Sequence, residues 1–285
     1  MKSLREVIQA VVVSKTAVGH FNFCDMVGLY GIAQAAREKG VPVILGLSES
    51  ERDFVGVHQA VALVDSLRTQ YNQELFLNAD HTKSLEKAKE AIEAGFDAVL
   101  FDGSGLSYEE NVRQTKQVVE YAKAAGREVI VEGELGYIGM SSQVLTDIPV
   151  GVDLTDGLTT AEEAAKFVAE TGVDLLAPAV GNIHGMLAGR PDPSLNQGLV
   201  QSIAEAVKVS LVLHGASGNS PEDIKAAIAA GVAIVHVNTE LRVAYRDALK
   251  RTLQAEPDEV APYKILKPAI QAVAEVVAAK LAILS

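Results

Sequence analysis

Positive charge is scarce in this chain: 25 lysines and arginines stand against 37 aspartates and glutamates, a formal net charge of −12 over 285 residues. That balance argues against nucleic acid or an anionic membrane as the main partner, because the long-range field repels polyanions. A small anionic substrate then needs a local positive site, such as a metal or converging backbone N–H groups. Cysteine is almost absent. Cys24 stands alone, so no intrachain disulfide can form and a reducing compartment fits. No apolar stretch is long enough to span a bilayer. The opening Met1-Lys2-Ser3-Leu4-Arg5-Glu6 leads into an amphipathic helix pattern over 4–14, not a signal h-region. A cytoplasmic location is the expectation. No linker rich in Pro, Gly or Ser divides the chain, so residues 1–285 are read as one domain, with 48% hydrophobic residues to build a core.

One pattern recurs: a helix ending in Gly, a short apolar run, then a polar loop. Gly95, Gly172 and Gly231 each close such a helix, where glycine takes a left-handed C-cap conformation. Thr160 with Glu163 reads as a capping box, and Ser220-Pro221 as an N-cap followed by proline at N1. Eight strands are expected near 17–22, 42–47, 74–79, 97–102, 128–133, 173–179, 209–214 and 232–237. Alternating strand and helix signals imply βα units and a parallel sheet. Eight such units in this length predict an α/β fold, a closed (β/α)8 TIM barrel. An open doubly wound sheet is the structural alternative, weakened because no G-x-G-x-x-G follows the first strand. The helix over 4–14 is placed to cap the barrel's bottom. A last helix near 268–284 is expected to pack on a neighbouring helix or a partner subunit. The stretch 136–159 is the main irregular segment and a lid candidate.

Chemistry concentrates where apolar runs end. His81, His184 and His214 each sit near the C-terminal end of an expected strand. Those ends meet at one mouth of a barrel, and three imidazoles there match the ligand set of a catalytic zinc with one position open. A single strand histidine is more often a hydrogen-bonded core residue; three at equivalent ends are harder to dismiss. Asp80 precedes His81, and adjacent strand residues point to opposite faces. Both reach the mouth only if the strand ends there and the chain turns, with Ser84 capping the next helix. Asp80 is then either a helix-entry cap or an acid/base beside a metal. Asp102, Glu132 and Glu134 end the next two strands. They can ligate a metal, orient the histidines, hold a second divalent ion or simply be solvated. His214-Gly215-Ala216-Ser217-Gly218 and Val237-Asn238-Thr239-Glu240 follow the last two strands, where barrels often bind phosphate. Two tight turns with a helix cap at Asn238 or Thr239 are the plainer alternative.

These motifs together resemble the class II, metal-dependent ketose-bisphosphate aldolases, which act on fructose or tagatose bisphosphate. The matching stretches run in order from Phe21-Asn22 through Ser48, Asp80-His81, Phe101-Asp102-Gly103-Ser104, Glu109-Glu110-Asn111-Val112, Glu132-Gly133-Glu134-Leu135-Gly136, Gly181-Asn182-Ile183-His184-Gly185 and Leu213-His214-Gly215-Ala216-Ser217-Gly218 to Asn238-Thr239-Glu240. The resemblance implies reversible, zinc-dependent aldol cleavage of a ketose 1,6-bisphosphate to dihydroxyacetone phosphate and glyceraldehyde 3-phosphate. It implies that His81, His184 and His214 hold the zinc, with Asp102 and Glu134 serving an alternative or second metal position, divalent or monovalent. It makes Asp80 the residue that exchanges a proton with the C4 hydroxyl. Substrate contacts fall to Asn22, Ser48, Gly185, Gly215, Ala216, Ser217, His236, Val237, Asn238 and Thr239, Ser48 matching a phosphate-contacting serine. A homodimer or homotetramer is the implied assembly.

Three departures stand out. The family usually carries Gly-Gly-x-Glu-Asp after its Glu-Leu-Gly motif, with a loop glutamate that moves a proton at the enediolate carbon. Here that stretch reads Gly136-Tyr137-Ile138-Gly139-Met140-Ser141-Ser142-Gln143-Val144, with Asp147, Asp153 and Asp156 further along. His236 stands where asparagine is normal, and His20 where a small residue is usual. These motivate two other readings: a related metal-dependent lyase acting on another phosphorylated hydroxy-carbonyl compound, and a non-catalytic barrel that binds phosphate esters.

Overall fold

The computed structural model describes residues 2–139 and 142–285. Among them the strands are β1 (Val18–Asn22), β2 (Val43–Leu47), β3 (Leu75–Thr82), β4 (Ala98–Phe101), β5 (Ile130–Leu135), β6 (Val144–Leu145), β7 (Leu175–Pro178), β8 (Met186–Leu187), β9 (Ser210–Leu213) and β10 (Val232–Val237). The helices are α1 (Leu4–Ser14), α2 (Met26–Lys39), α3 (Glu49–Val55), α4 (Val57–Tyr71), α5 (Leu85–Ala94), α6 (Tyr108–Ala124), α7 (Ala161–Thr171), α8 (Gln197–Ala206), α9 (Pro221–Ala230), α10 (Thr239–Ala255) and α11 (Pro262–Leu284). Eight strands close a parallel barrel in the order β1-β10-β9-β7-β5-β4-β3-β2. This is the expected TIM barrel. The short β6 and β8 pair with each other outside it.

The expected helix signals hold. Thr160 and Glu163 form a reciprocal capping box, and Ser220 caps α9 ahead of Pro221. Ser84 caps α5. Gly95 and Gly172 close their helices in the left-handed region; Gly231 has φ of +127°, positive but outside that basin. The C-terminal helix begins at Pro262, six residues before the expected start, and carries Pro268 within it. Its inner face packs on α2.

Strand alternation separates the barrel's interior into layers. At the bottom Val18, Ile44, Phe76, Ala98, Ile130, Leu175, Val212 and Ile234 form an apolar plug, closed from below by Leu4, Val7 and Ile8 of α1. Two residues further along the same strands come His20, Gly46, Asn78, Leu100, Glu132, Ala177, His214 and His236. Two further still, at the mouth, come Asn22, Ser48, Asp80, Asp102 and Glu134. The interior thus changes from hydrocarbon to titratable groups within two residues of strand, about 6.6 Å at roughly 3.3 Å per residue. Outside the barrel, a continuous apolar shell packs the helices on the strands.

Candidate functional site

Asp80 and His81 both face the mouth, but not because the strand stops. β3 continues to Thr82, and its register against β4 shifts between Ala79 and Thr82. Within this bulge His81 has φ of +36°, a left-handed backbone rarely taken by a histidine. Buried Arg52 braces the distortion: its guanidinium donates to Leu47 O at 2.6 Å, Asp80 O at 3.0 Å and Thr82 Oγ1 at 3.0 Å. Burial lowers the Arg52 pKa, with nearby carboxylates opposing. His184 also arrives differently from expectation. It lies in the loop beyond β7, with its backbone N–H donating to Ile138 O at 2.8 Å.

The histidine trio converges: one ring nitrogen from each of His81, His184 and His214 lies within 4.8 Å of the others. Each ring is oriented by its second nitrogen. His184 Nδ1 donates to Gly139 O at 2.6 Å, and His214 Nε2 donates to Glu132 Oε1 at 2.7 Å. His81 Nδ1 lies 3.0 Å from Asp102 Oδ2. His214 Nδ1 and Glu134 Oε2 are buried without a hydrogen-bond partner. The Glu134 oxygen lies 3.5 Å from both His214 Nδ1 and His81 Nδ1. His81, Asp102 and Glu134 form a second grouping with converging donor atoms. Orphaned donors backed by oriented partners suit a divalent ion.

Burial pushes the His184 imidazole down to about 4, so it is neutral at pH 7. Burial also opposes charge on His81, but Asp80, Asp102 and Glu134 override it and raise that ring to about 9. His214 is likewise raised well above its ordinary value, the Glu132 and Glu134 contacts outweighing desolvation. Burial would raise the Asp80 carboxyl, yet His81 and its neighbours hold it below the usual carboxylate range.

The mouth opens into a cavity of about 600 Å³. Asn22, Ser48, Asp80, His81, Asp102, His184, Gly185, Gly215, Ser217, His236, Asn238 and Thr239 line it, all singled out from sequence. Ala216 and Val237 do not; their side chains belong to the apolar shell. His214 and Glu134 sit behind the wall beside a smaller space. Gly215 has φ of +66°, and a Cβ there would lie 2.0 Å from Ile183 O, so glycine is required. Asn238 precedes α10 but makes no side-chain cap; Ser217 Oγ instead accepts from Asn238 N at 3.3 Å and Glu240 N at 3.4 Å.

Of the loop carboxylates, Asp147 pairs with Arg190 at 3.0 Å, and Asp153 caps its own turn through Thr155 and Asp156. Neither these nor Asp156 lines the cavity, whereas Ser142 and Gln143 do; Met140 and Ser141 lie outside the described residues. The two unusual histidines stack face to face, ring centroids 3.5 Å apart and planes at 3°. His236 also stacks on His214 at 4.2 Å. Asn78 Nδ2 donates to His20 Nε2 at 3.0 Å. Burial lowers His20 to about 4 and His236 well below its ordinary value.

Sequence reading missed Glu51, Arg52 and Arg242. Buried Glu51 accepts from Asn22 Nδ2, Ser48 N and Ser48 Oγ at 2.8–2.9 Å and from Arg242 Nη2 at 2.6 Å. Asn22 Nδ2 also donates to Asp80 Oδ2 at 2.9 Å, so one amide links the two carboxylates.

Comparison with known proteins gives a consistent answer. Residues 2–285 match the family model described as fructose-bisphosphate aldolase class-II. The chain is 37% identical over 282 residues to the fructose-bisphosphate aldolase of Geobacillus stearothermophilus, covering 98% of this chain and 95% of the relative. It is 36% identical over 283 residues to that of Staphylococcus epidermidis, with the same coverage. The crystal structure of the YdjI aldolase from Escherichia coli K12 superposes with a TM-score of 0.81 at 28% identity, covering 100% of this chain and 97% of that one.

Proposed function

The chain belongs to the class II fructose-bisphosphate aldolase family, metal-dependent carbon–carbon lyases, and from that premise we propose that it cleaves a phosphorylated ketose reversibly to dihydroxyacetone phosphate and an aldehyde. Fructose and tagatose 1,6-bisphosphates are the first substrates to consider, with glyceraldehyde 3-phosphate as their aldehyde product. The convergence of His81, His184 and His214, their rings oriented by Asp102, Gly139 and Glu132 and with His214 Nδ1 and Glu134 Oε2 left unpartnered, carries this reading.

The three histidines hold the ion, zinc being favoured by an all-imidazole set; Asp102 and Glu134 offer a second position. When bound, it supplies Lewis-acid stabilisation of the negative charge left when the C3–C4 bond breaks. Asp80 accepts the C4 hydroxyl proton as C4 becomes the aldehyde. Its depressed pKa keeps it ionised and able to accept, and Asn22 fixes its orientation. The phosphate of the dihydroxyacetone half sits against Gly185, the backbone of Gly215–Ser217 and the Asn238–Thr239 start of α10, where the N-terminus of a 17-residue helix, whose Asn238 and Glu240 N–H groups meet Ser217 Oγ, favours an anion. A homodimer or homotetramer is the proposed assembly.

Cleavage assays on both bisphosphates and the corresponding 1-phosphates, before and after chelation and with zinc restored, test the reading. A metal-loaded preparation that turns over none of them overturns it. A related lyase acting on another phosphorylated hydroxy-carbonyl compound is favoured by one observation: among the described residues no carboxylate of the 136–159 segment lines the cavity.

A further inference from the structure

We propose that Glu51 makes this enzyme selective for aldehyde partners that carry no phosphate. The inference rests on the aldolase reading above and narrows its substrate class to ketose 1-phosphates with an uncharged, hydroxylated distal end.

A ketose bisphosphate presents two dianions. The glycine-rich loops and the start of α10 provide for one. The second needs its own donors, and the cavity has few. Leaving aside the histidine cluster and the Asp102 beside it, its wall carries three carboxylates, Glu49, Glu51 and Asp80, against two cations, Lys83 and Arg242. Arg242 is already committed: its Nη2 donates to Glu51 Oε1 at 2.6 Å. Ser48, the serine best placed to meet a phosphate, donates its hydroxyl to Glu51 Oε2 at 2.9 Å. One buried carboxylate therefore occupies both a guanidinium and a hydroxyl that a distal phosphate would use. Beside Lys83 stands Glu49, whose Oε1 accepts the Lys83 backbone N–H at 2.7 Å. A second dianion entering here meets these carboxylates with Arg242 already paired, which leaves the exposed Lys83 ammonium as the cation to receive it, and like charges in a half-buried cavity repel strongly. Hydroxyl groups meet no such penalty, because each can donate to a carboxylate oxygen.

The test is condensation with dihydroxyacetone phosphate fixed and the aldehyde varied between glyceraldehyde and glyceraldehyde 3-phosphate, in the wild-type enzyme and in Glu51→Gln. Glutamine keeps the shape of the side chain and removes its charge, releasing Arg242. The comparison is the ratio of kcat/KM for the two aldehydes, which cancels any common loss from disturbing Asn22 and Asp80. Wild-type enzyme is expected to prefer glyceraldehyde by at least about tenfold, and Glu51→Gln to move the ratio toward glyceraldehyde 3-phosphate by a similar factor, chiefly through KM. Wild-type enzyme that uses the phosphorylated aldehyde equally well or better overturns the proposal, without need of any variant. So does an unchanged ratio in Glu51→Gln. Condensation with neither aldehyde removes the aldolase reading itself, and this inference with it.

Discussion

At the scale of single residues, the proposed mechanism gives Asp80 and the three histidines separable burdens. Replacing Asp80 by Asn removes the base without touching an imidazole. We expect kcat to fall by roughly 10²–10⁴-fold while metal content by elemental analysis stays at the wild-type level; loss of metal in this variant would assign Asp80 a ligand's part instead. The histidines make metal affinity depend on pH. His81 is raised to about 9 and His214 is raised as well, so without an ion both hold protons at neutrality, while His184, lowered to about 4, does not. Ligation must displace those protons, so affinity should climb with pH between about 6.5 and 8.5, releasing roughly two protons per ion near pH 7. Competition against a chromophoric chelator across that range measures the slope, and a flat profile would contradict the assigned protonation states. His81, His184, His214 and Asp80 were legible because each abuts an apolar run and a turn. Glu51, Arg52 and Arg242 were not: Ser48-x-x-Glu51 has the spacing of a helix capping box, which it forms at the start of α3, and only the fold turns Glu51 and Arg52 inward to meet Asn22, Arg242 and the β3 bulge.

At the scale of elements, the end of β3 and the pairing of β1 with β2 are the informative places. The barrel strands were legible from apolar runs bounded by helix-closing glycines, but the β3 bulge was not, because alternation alone predicts that Asp80 and His81 diverge. Arg52 holds that bulge through three hydrogen bonds from a buried position. Arg52→Met should therefore lose about 2–4 kcal/mol of unfolding free energy, since two carbonyls and a hydroxyl lose their donor; denaturant unfolding measures it, and a cost below about 0.5 kcal/mol would show the bulge to be self-supporting. In β2, Gly46 leaves the space that the His20 ring fills: a Cβ there would lie 2.2 Å from His20 Cε1. Gly46→Ala should destabilise by about 1–3 kcal/mol through overpacking. Adding His20→Ala should recover most of that loss. Equal unfolding midpoints for Gly46→Ala with and without the second change would refute the pairing.

At the scale of the whole molecule, the barrel's apolar plug and outer shell share no residue with the proposed metal site, which sits at the opposite end from α1. Chelation should therefore leave far-ultraviolet circular dichroism unchanged while lowering the thermal midpoint, because an ion that binds only the native state at a thousand times its Kd adds about 4 kcal/mol. Collapse of the helical signal on chelation would mean that the ion holds the fold together. The assembly state is read independently by sedimentation, with a dimer or tetramer expected. Following such unfolding needs a probe, and the chain contains no tryptophan. The His20–His236 pair supplies one. Two aromatic rings 3.5 Å apart and parallel to 3° place each ring's carbon-bound protons above the circulating electrons of the other. Their proton resonances in a magnetic-resonance spectrum should be displaced upfield and return to ordinary positions when the barrel opens. A pair of imidazole signals thus reports on the closure between the first and last strands of the barrel, whatever the enzyme is doing at its mouth.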